Sequence, residues 1–180
     1  ADIKLSGFIT NGGFNNMSNQ VFGGLASGTA NLGESRAVNF TSVAGTQHFS
    51  GITETAGTAP VVDGTLDASY GAAKFIQTVR TGYGDNTNAT GGANGPEIDA
   101  VYATVKDGVL YIMVTGNLNS DFTKLSIFVD SIAGGQSTLA ADNPNVDFDG
   151  LNRLGGPAAE GAGVTFDAGF TADYWLGVTN

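Results

Sequence analysis

Residues 97–116, "EIDAVYATVKDGVLYIMVTG", decide the fold class. Two β-rich runs flank Asp107-Gly108, a dipeptide that suits a two-residue type I′ turn because both central residues of such a turn need positive φ. The stretch therefore reads as a β-hairpin. Side chains alternate along a strand, so Ile98, Ala100, Tyr102 and Thr104 fall on one face of its first arm and Val101, Ala103 and Val105 on the other. The valine face is expected to meet the core.

Working outward, period-two alternation recurs and no window sustains the i, i+3, i+4, i+7 spacing of an amphipathic helix. Further strands are expected at "ADIKLSGFIT" (1–10), "AAKFIQTVR" (72–80), "TKLSIFVDS" (123–131), "GVTFDAGF" (163–170) and "DYWLGVT" (173–179). That number of short strands predicts an all-β chain, a two-layer antiparallel β-sandwich. Its 180 residues suit a single domain. Within it, residues 1–60 form a Gly/Asn/Thr-rich N-terminal segment, packed on its own sandwich or exchanged between copies, and residues 61–180 form the sandwich core.

Composition narrows the partners. With 17 acidic against 7 basic residues the net charge is −10, a balance that repels phosphate backbones and anionic lipid, so nucleic acid is excluded as a partner. The longest apolar run, "GVLYIMV", is far shorter than the ~18 residues of a membrane span, so none is expected. Only 13% of residues are charged and 28 are Gly, which leaves a surface of Asn, Thr, Ser and Gly. Together with a start, "ADIKLSG", of the kind left after signal-peptide removal, this predicts a secreted protein, extracellular or at the cell surface. The chain has no Cys, hence no disulfide and no thiolate chemistry.

The long connection 131–163 carries "DNPNVDFDGLN" (142–152). Loops of that length need an internal organiser, and a Ca²⁺ ion is one candidate. Asn145, Asp147, Asp149 and Gly150 match the first half of an EF-hand loop, in which alternating oxygen donors converge and the Gly allows a sharp turn. Gly156 stands where the bidentate Glu would be, so Asp142, Asn152, Asp130 or a backbone carbonyl would have to complete the site. The competing reading is that these side chains make Asx-turns that satisfy the loop's own backbone. In "VVDGTLDASYG", Asp63 and Asp67 read as turn residues before strand 72–80.

Catalytic motifs are missing. The single His, His48, has no G-x-S-x-G elbow to serve. "GGANGP" lacks a P-loop's Lys-Ser/Thr ending. A glycoside hydrolase needs only two carboxylates at a suitable separation, which the sequence leaves open. Carbohydrate binding is the stronger alternative, with Trp175 or Tyr174 as a stacking surface and Tyr83 assisting. Neighbouring strand residues face opposite ways, so only one of Tyr174 and Trp175 can point outward.

From "VDGTLDASYGAAKFIQTVRTGYGDN" through "EIDAVYATVKDGVLYIMVTGNL" and "KLSIFVDSIAGGQSTL" to "VTFDAGFTADYWLGVT", the order of motifs over residues 61–180 resembles a family of secreted bacterial proteins of unknown function, often carrying a PEP-CTERM sorting tail. It also distantly resembles family 9 carbohydrate-binding and DOMON-like modules. The resemblance implies a jelly-roll or DOMON-like sandwich and export. The paired Trp clamp of the family 9 modules does not carry over, because this chain has one Trp. The expectation is thus a non-catalytic structural or adhesive protein, a homo-oligomer or polymer built by strand addition, with "ADIKLSGFIT" as an edge strand offered to a neighbour's sheet. A polysaccharide is the alternative partner.

Overall fold

A computed structural model describes residues 3–10, 21–22, 25–31, 37–41, 49–76, 97–118, 124–146, 148–152, 154–155 and 163–179. Among them lie eleven strands: β1 (Ile3–Thr10), β2 (Val21–Phe22), β3 (Leu25–Asn31), β4 (Ala37–Thr41), β5 (Phe49–Ile52), β6 (Phe75–Ile76), β7 (Glu97–Lys106), β8 (Val109–Asn117), β9 (Lys124–Asp130), β10 (Thr165–Phe166) and β11 (Tyr174–Thr179). Among the described residues, helical geometry amounts to a 3₁₀ turn at Ala68–Tyr70, an irregular π-type turn at Phe148–Asn152 and a helical residue at Leu154. The chain is all-β, and among the described residues the eleven strands pair antiparallel, a single isolated bridge, Glu54↔Val105, being parallel.

The hairpin forms as its sequence dictates. Asp107 and Gly108 have φ of 51° and 74°, Lys106 pairs with Val109, and the Glu54 carboxylate accepts from both turn amides, at 2.6 Å from Asp107 N and 3.1 Å from Gly108 N. Val101, Ala103 and Val105 are buried as expected. Ile98 departs from the alternation. It pairs with Gly116 while Ala100 pairs with Thr115, so Asp99 is an extra, bulged residue, and a bulge shifts the facing of what precedes it. Ile98 thereby joins the valine face, 1% exposed.

The strands sort into three sheets: β11-β9-β1 with β2 and β5 in succession along the far edge of β1, then β6-β7-β8, then β10-β3-β4. Strands from 1–60 and from 61–180 thus share sheets, β1 with β9 and β3 with β10. The expected edge strand at the N-terminus is not an edge. β1 pairs with β9 over seven consecutive positions, Lys4↔Asp130 to Thr10↔Lys124, on one side, and with β5 and β2 on the other. Its alternation explains the central place: Leu5 and Phe8, both fully buried, face opposite sides of the sheet, so β1 is stable only where both faces are covered.

The two faces of this first sheet enter two clusters. Leu5, Ile127 and Val129 meet Ile98, Val101, Ala103 and Val105 of β7. On the other face Phe8 and Phe128 meet Leu139, Leu154, Val164, Phe166 and Phe170. The rings interlock: Phe8 stacks on Phe128 at 5.7 Å between centroids, Phe128 meets Phe166 edge-on at 5.0 Å, and Phe166 lies 4.9 Å from Phe170. The stretch read as strand 163–170 keeps only Thr165–Phe166 as strand, because Gly169 at φ 92° and the Phe170 N to Asp167 O bond turn the chain. Of strand 72–80, Phe75–Ile76 is seen, and 77–80 lie outside the described residues.

Candidate functional site

The acidic connection is organised by amides. The Asn152 carboxamide pairs with the main chain of Asn143 as a strand residue would: Asn143 N donates to Asn152 Oδ1 at 2.8 Å, and Asn152 Nδ2 donates to Asn143 O at 3.1 Å. Asn143 Nδ2 donates to Asn152 Oδ1 and to Ala140 O, while Asn143 Oδ1 accepts from Gln136 Nε2 at 2.5 Å. Gln136 Oε1 in turn accepts from Ala140 N. Leu139 and Leu154 pin this clasp to the aromatic cluster.

Of the six residues singled out for Ca²⁺, Asp142 and Asn145 are exposed, Asn145 turning the chain at φ 61°. Asn152 is in the clasp. Asp130 lies elsewhere, on the first sheet, paired with Lys4 Nζ at 3.0 Å and accepting from Thr171 N. Asp147 and the side chain of Asp149 lie outside the described residues. Among the described residues no group of three or more His, Cys, Asp and Glu side chains is placed to hold a metal ion. Asp63 and Asp67 accept from loop amides, Thr65 N at 2.8 Å and Val61 N at 2.6 Å. His48 and Tyr83 lie outside the described residues.

β11 is where the surface is unusual. Trp175 turns inward and packs against the aromatic cluster, its indole lying along Gly177 and Gly150, where an added Cβ would come within 2.6 Å and 3.1 Å of the ring. Gly177 therefore serves as the bed of the ring. Tyr174 turns the other way and is 56% exposed. With it, on the same face, lie Leu176 and Val178, 49% and 48% exposed. Their register partners on β9, Val129, Ile127 and Leu125, lie against β7 and β8, so the apolar cover ends between β9 and β11. Among the described residues β11 pairs with β9 alone, so none of them pairs with its outer row of N–H and C=O groups, as at a sheet edge. The sequence reading missed Leu176 and Val178, although alternation in "YWLGVT" puts them beside Tyr174.

A second feature is a pocket of about 480 Å³, floored by Ile52, Ala103 and Thr104 and walled by 55–58 and 68–74, with Lys106 and Lys74 in its lining. The Thr55 and Thr104 hydroxyls are 2.8 Å apart, and Lys106 Nζ donates to Ala56 O at 2.6 Å. Tyr70, buried in the wall, has its phenol pKa raised, first by burial and then by the Asp67 and Asp63 carboxylates and Tyr111. Lys106 was not singled out from sequence, although it follows Tyr102 and Thr104 on their face of β7. No helix among the described residues is long and apolar enough to cross a membrane. Compared with family models, with curated proteins and with solved structures, the chain finds no match.

Proposed function

We propose that this protein is a non-catalytic extracellular structural or adhesive protein whose copies assemble along β11. The reading takes the sheet of β9 and the sheet of β7, which share a core cluster, as the two layers of a sandwich. The observation that carries it is the edge itself. Residues 174–179, "YWLGVT", hold no charge and no Pro, the devices by which β-proteins keep edges from pairing. Three half-exposed apolar side chains stand on the same strand. A strand from a second copy would pair with the backbone groups that no described residue meets and cover those side chains together. The edge of the other layer, β8, pairs with β7 alone among the described residues. A β11-to-β8 contact joins unlike surfaces, so it repeats into a filament when its rotation does not close.

The test is size-exclusion chromatography and negative-stain electron microscopy of the parent and of Leu176→Lys. Assemblies in the parent that dissolve in the variant support the reading. A parent that stays monomeric at every concentration, or assemblies indifferent to the substitution, would end it.

A further inference from the structure

We infer that the pocket between β7 and the 51–74 stretch binds an anionic saccharide, one whose sugar ring bears a carboxylate. This rests on the pocket alone and stands whether or not copies assemble.

The first argument is charge. The chain carries 17 acidic residues against 7 basic, so a random patch of its surface is expected to be negative. The lining inverts that balance: among the described residues two lysines, Lys74 and Lys106, belong to it and no Asp or Glu does, the Asp67 and Asp63 carboxylates standing behind Tyr70. Walls of low dielectric around a cleft of one sign concentrate ligands of the other.

The second is the state of Lys106, which is 5% exposed. Its ammonium carries three N–H donors, of which one is given to Ala56 O among the described residues. The ion pair found among those residues joins Lys4 to Asp130, not Lys106 to a carboxylate. A largely enclosed ammonium with no carboxylate partner among the described residues is stabilised by an anion brought to it.

The third is the rest of the lining. Thr55, Thr104, Ser69 and Tyr70 belong to the lining. The Thr55 and Thr104 hydroxyls bond each other and Val105 O but keep lone pairs that accept, and a hydroxylated wall suits a polyhydroxylated ligand better than a bare inorganic anion. The volume, about 480 Å³, falls within the range of small-ligand sites, about 300–1,000 Å³. The ligand carboxylate would meet Lys106, Lys74 would reinforce it from the rim, and the ring hydroxyls would lie along the Thr/Ser wall.

Isothermal titration of the full chain with a galacturonate oligosaccharide, its neutral galactose counterpart and acetate tests this. The acidic oligosaccharide is expected to bind, with an affinity that falls as salt rises. Lys106→Met should weaken it about ten-fold or more, as loss of a charge-assisted hydrogen bond does, while Lys106→Arg retains most of it. Should the Lys106 variants fail to fold, Lys74→Gln carries the same prediction from an exposed position. Equal binding of the neutral sugar, no binding of the acidic one, or an affinity untouched by these substitutions overturns the inference. Acetate binding as tightly as the oligosaccharide would reassign the pocket to small anions and overturn it equally.

Discussion

Replacing Asn152 by Ala removes the acceptor of Asn143 N, the donor to Asn143 O and a partner of Asn143 Nδ2. At a net value of about 1 kcal/mol each, three hydrogen bonds amount to roughly 3 kcal/mol. Asn152 is 8% exposed, whereas Asn143 is only half-buried, so water recovers part of the loss and about 2–3 kcal/mol is expected. In a chain of this length that corresponds to a Tm lower by roughly 4–12 °C. Asn152→Asp is the sharper variant. It keeps an oxygen facing Asn143 N but sets a second against Asn143 O, where an N–H stood, so it should destabilise as much at neutral pH and recover as acid protonates it. A Ca²⁺-organised loop predicts the reverse, because an added carboxylate strengthens a cation site. Thermal melts of the three proteins with Ca²⁺ and with EDTA decide the matter. A Tm for Asn152→Ala within a degree or so of the parent, or an Asn152→Asp that Ca²⁺ raises above the parent, would refute the clasp as the organiser.

Gly177→Val would drive a side chain into the Trp175 ring; since the chain has one Trp, a red-shifted emission should report the indole's displacement, and an unchanged spectrum would contradict its placement. Gly108→Ala puts a Cβ at φ 74°, and should cost about 1 kcal/mol in urea unfolding; a neutral result would argue against the type I′ turn. Because the folded pKa of Tyr70 is raised above the ordinary 10.0, its contribution to stability is full below that pH and lost as pH rises through the folded value. Alkaline unfolding should therefore set in earlier for the parent than for Tyr70→Phe, and parallel pH profiles would exclude the linkage.

What the sequence disclosed was local. Asp107-Gly108 announces its turn because the constraint is the backbone's own φ, and the valine face followed from alternation. The bulge at Asp99 escaped because no residue there demands it; it serves packing, bringing Ile98 to the cluster. The place of β1 escaped for a related reason. Its pairing with β9 joins residues 126 apart, as Lys4 and Asp130 are, and strand alternation says which residues share a face but not which strand lies alongside. In "DNPNVDFDGLN" the spacing of polar residues marked a loop in need of an organiser. The clasp nevertheless uses a side chain to mimic a main chain, and Asn143 and Asn152 bear no mark of that pairing. The pocket is assembled from turns and the polar face of a strand, each with an ordinary local explanation, so its inverted charge is visible only once they converge.

Ile127 and Leu176 are register partners on one face of one sheet, adjacent strands about 4.8 Å apart. Yet Ile127 is 6% exposed and Leu176 is 49% exposed. The same substitution at the two positions therefore separates a fold requirement from a surface requirement. Ile127→Lys buries a charge between β9 and β7 with no partner for it, and should unfold the protein, since such burial costs several kcal/mol out of a total stability of about 5–15. Leu176→Lys lets its ammonium reach water along an apolar stem and should change stability by about 0.5 kcal/mol, as exposed substitutions do. If β11 is the assembly edge, Leu176→Lys nevertheless abolishes assembly, because pairing would strip water from the new charge. A folded, assembling Leu176→Lys protein would mean that the bare stripe is ordinary surface. A Leu176→Lys protein that unfolds as Ile127→Lys does would mean that β11 is covered by the fold itself and offers no edge.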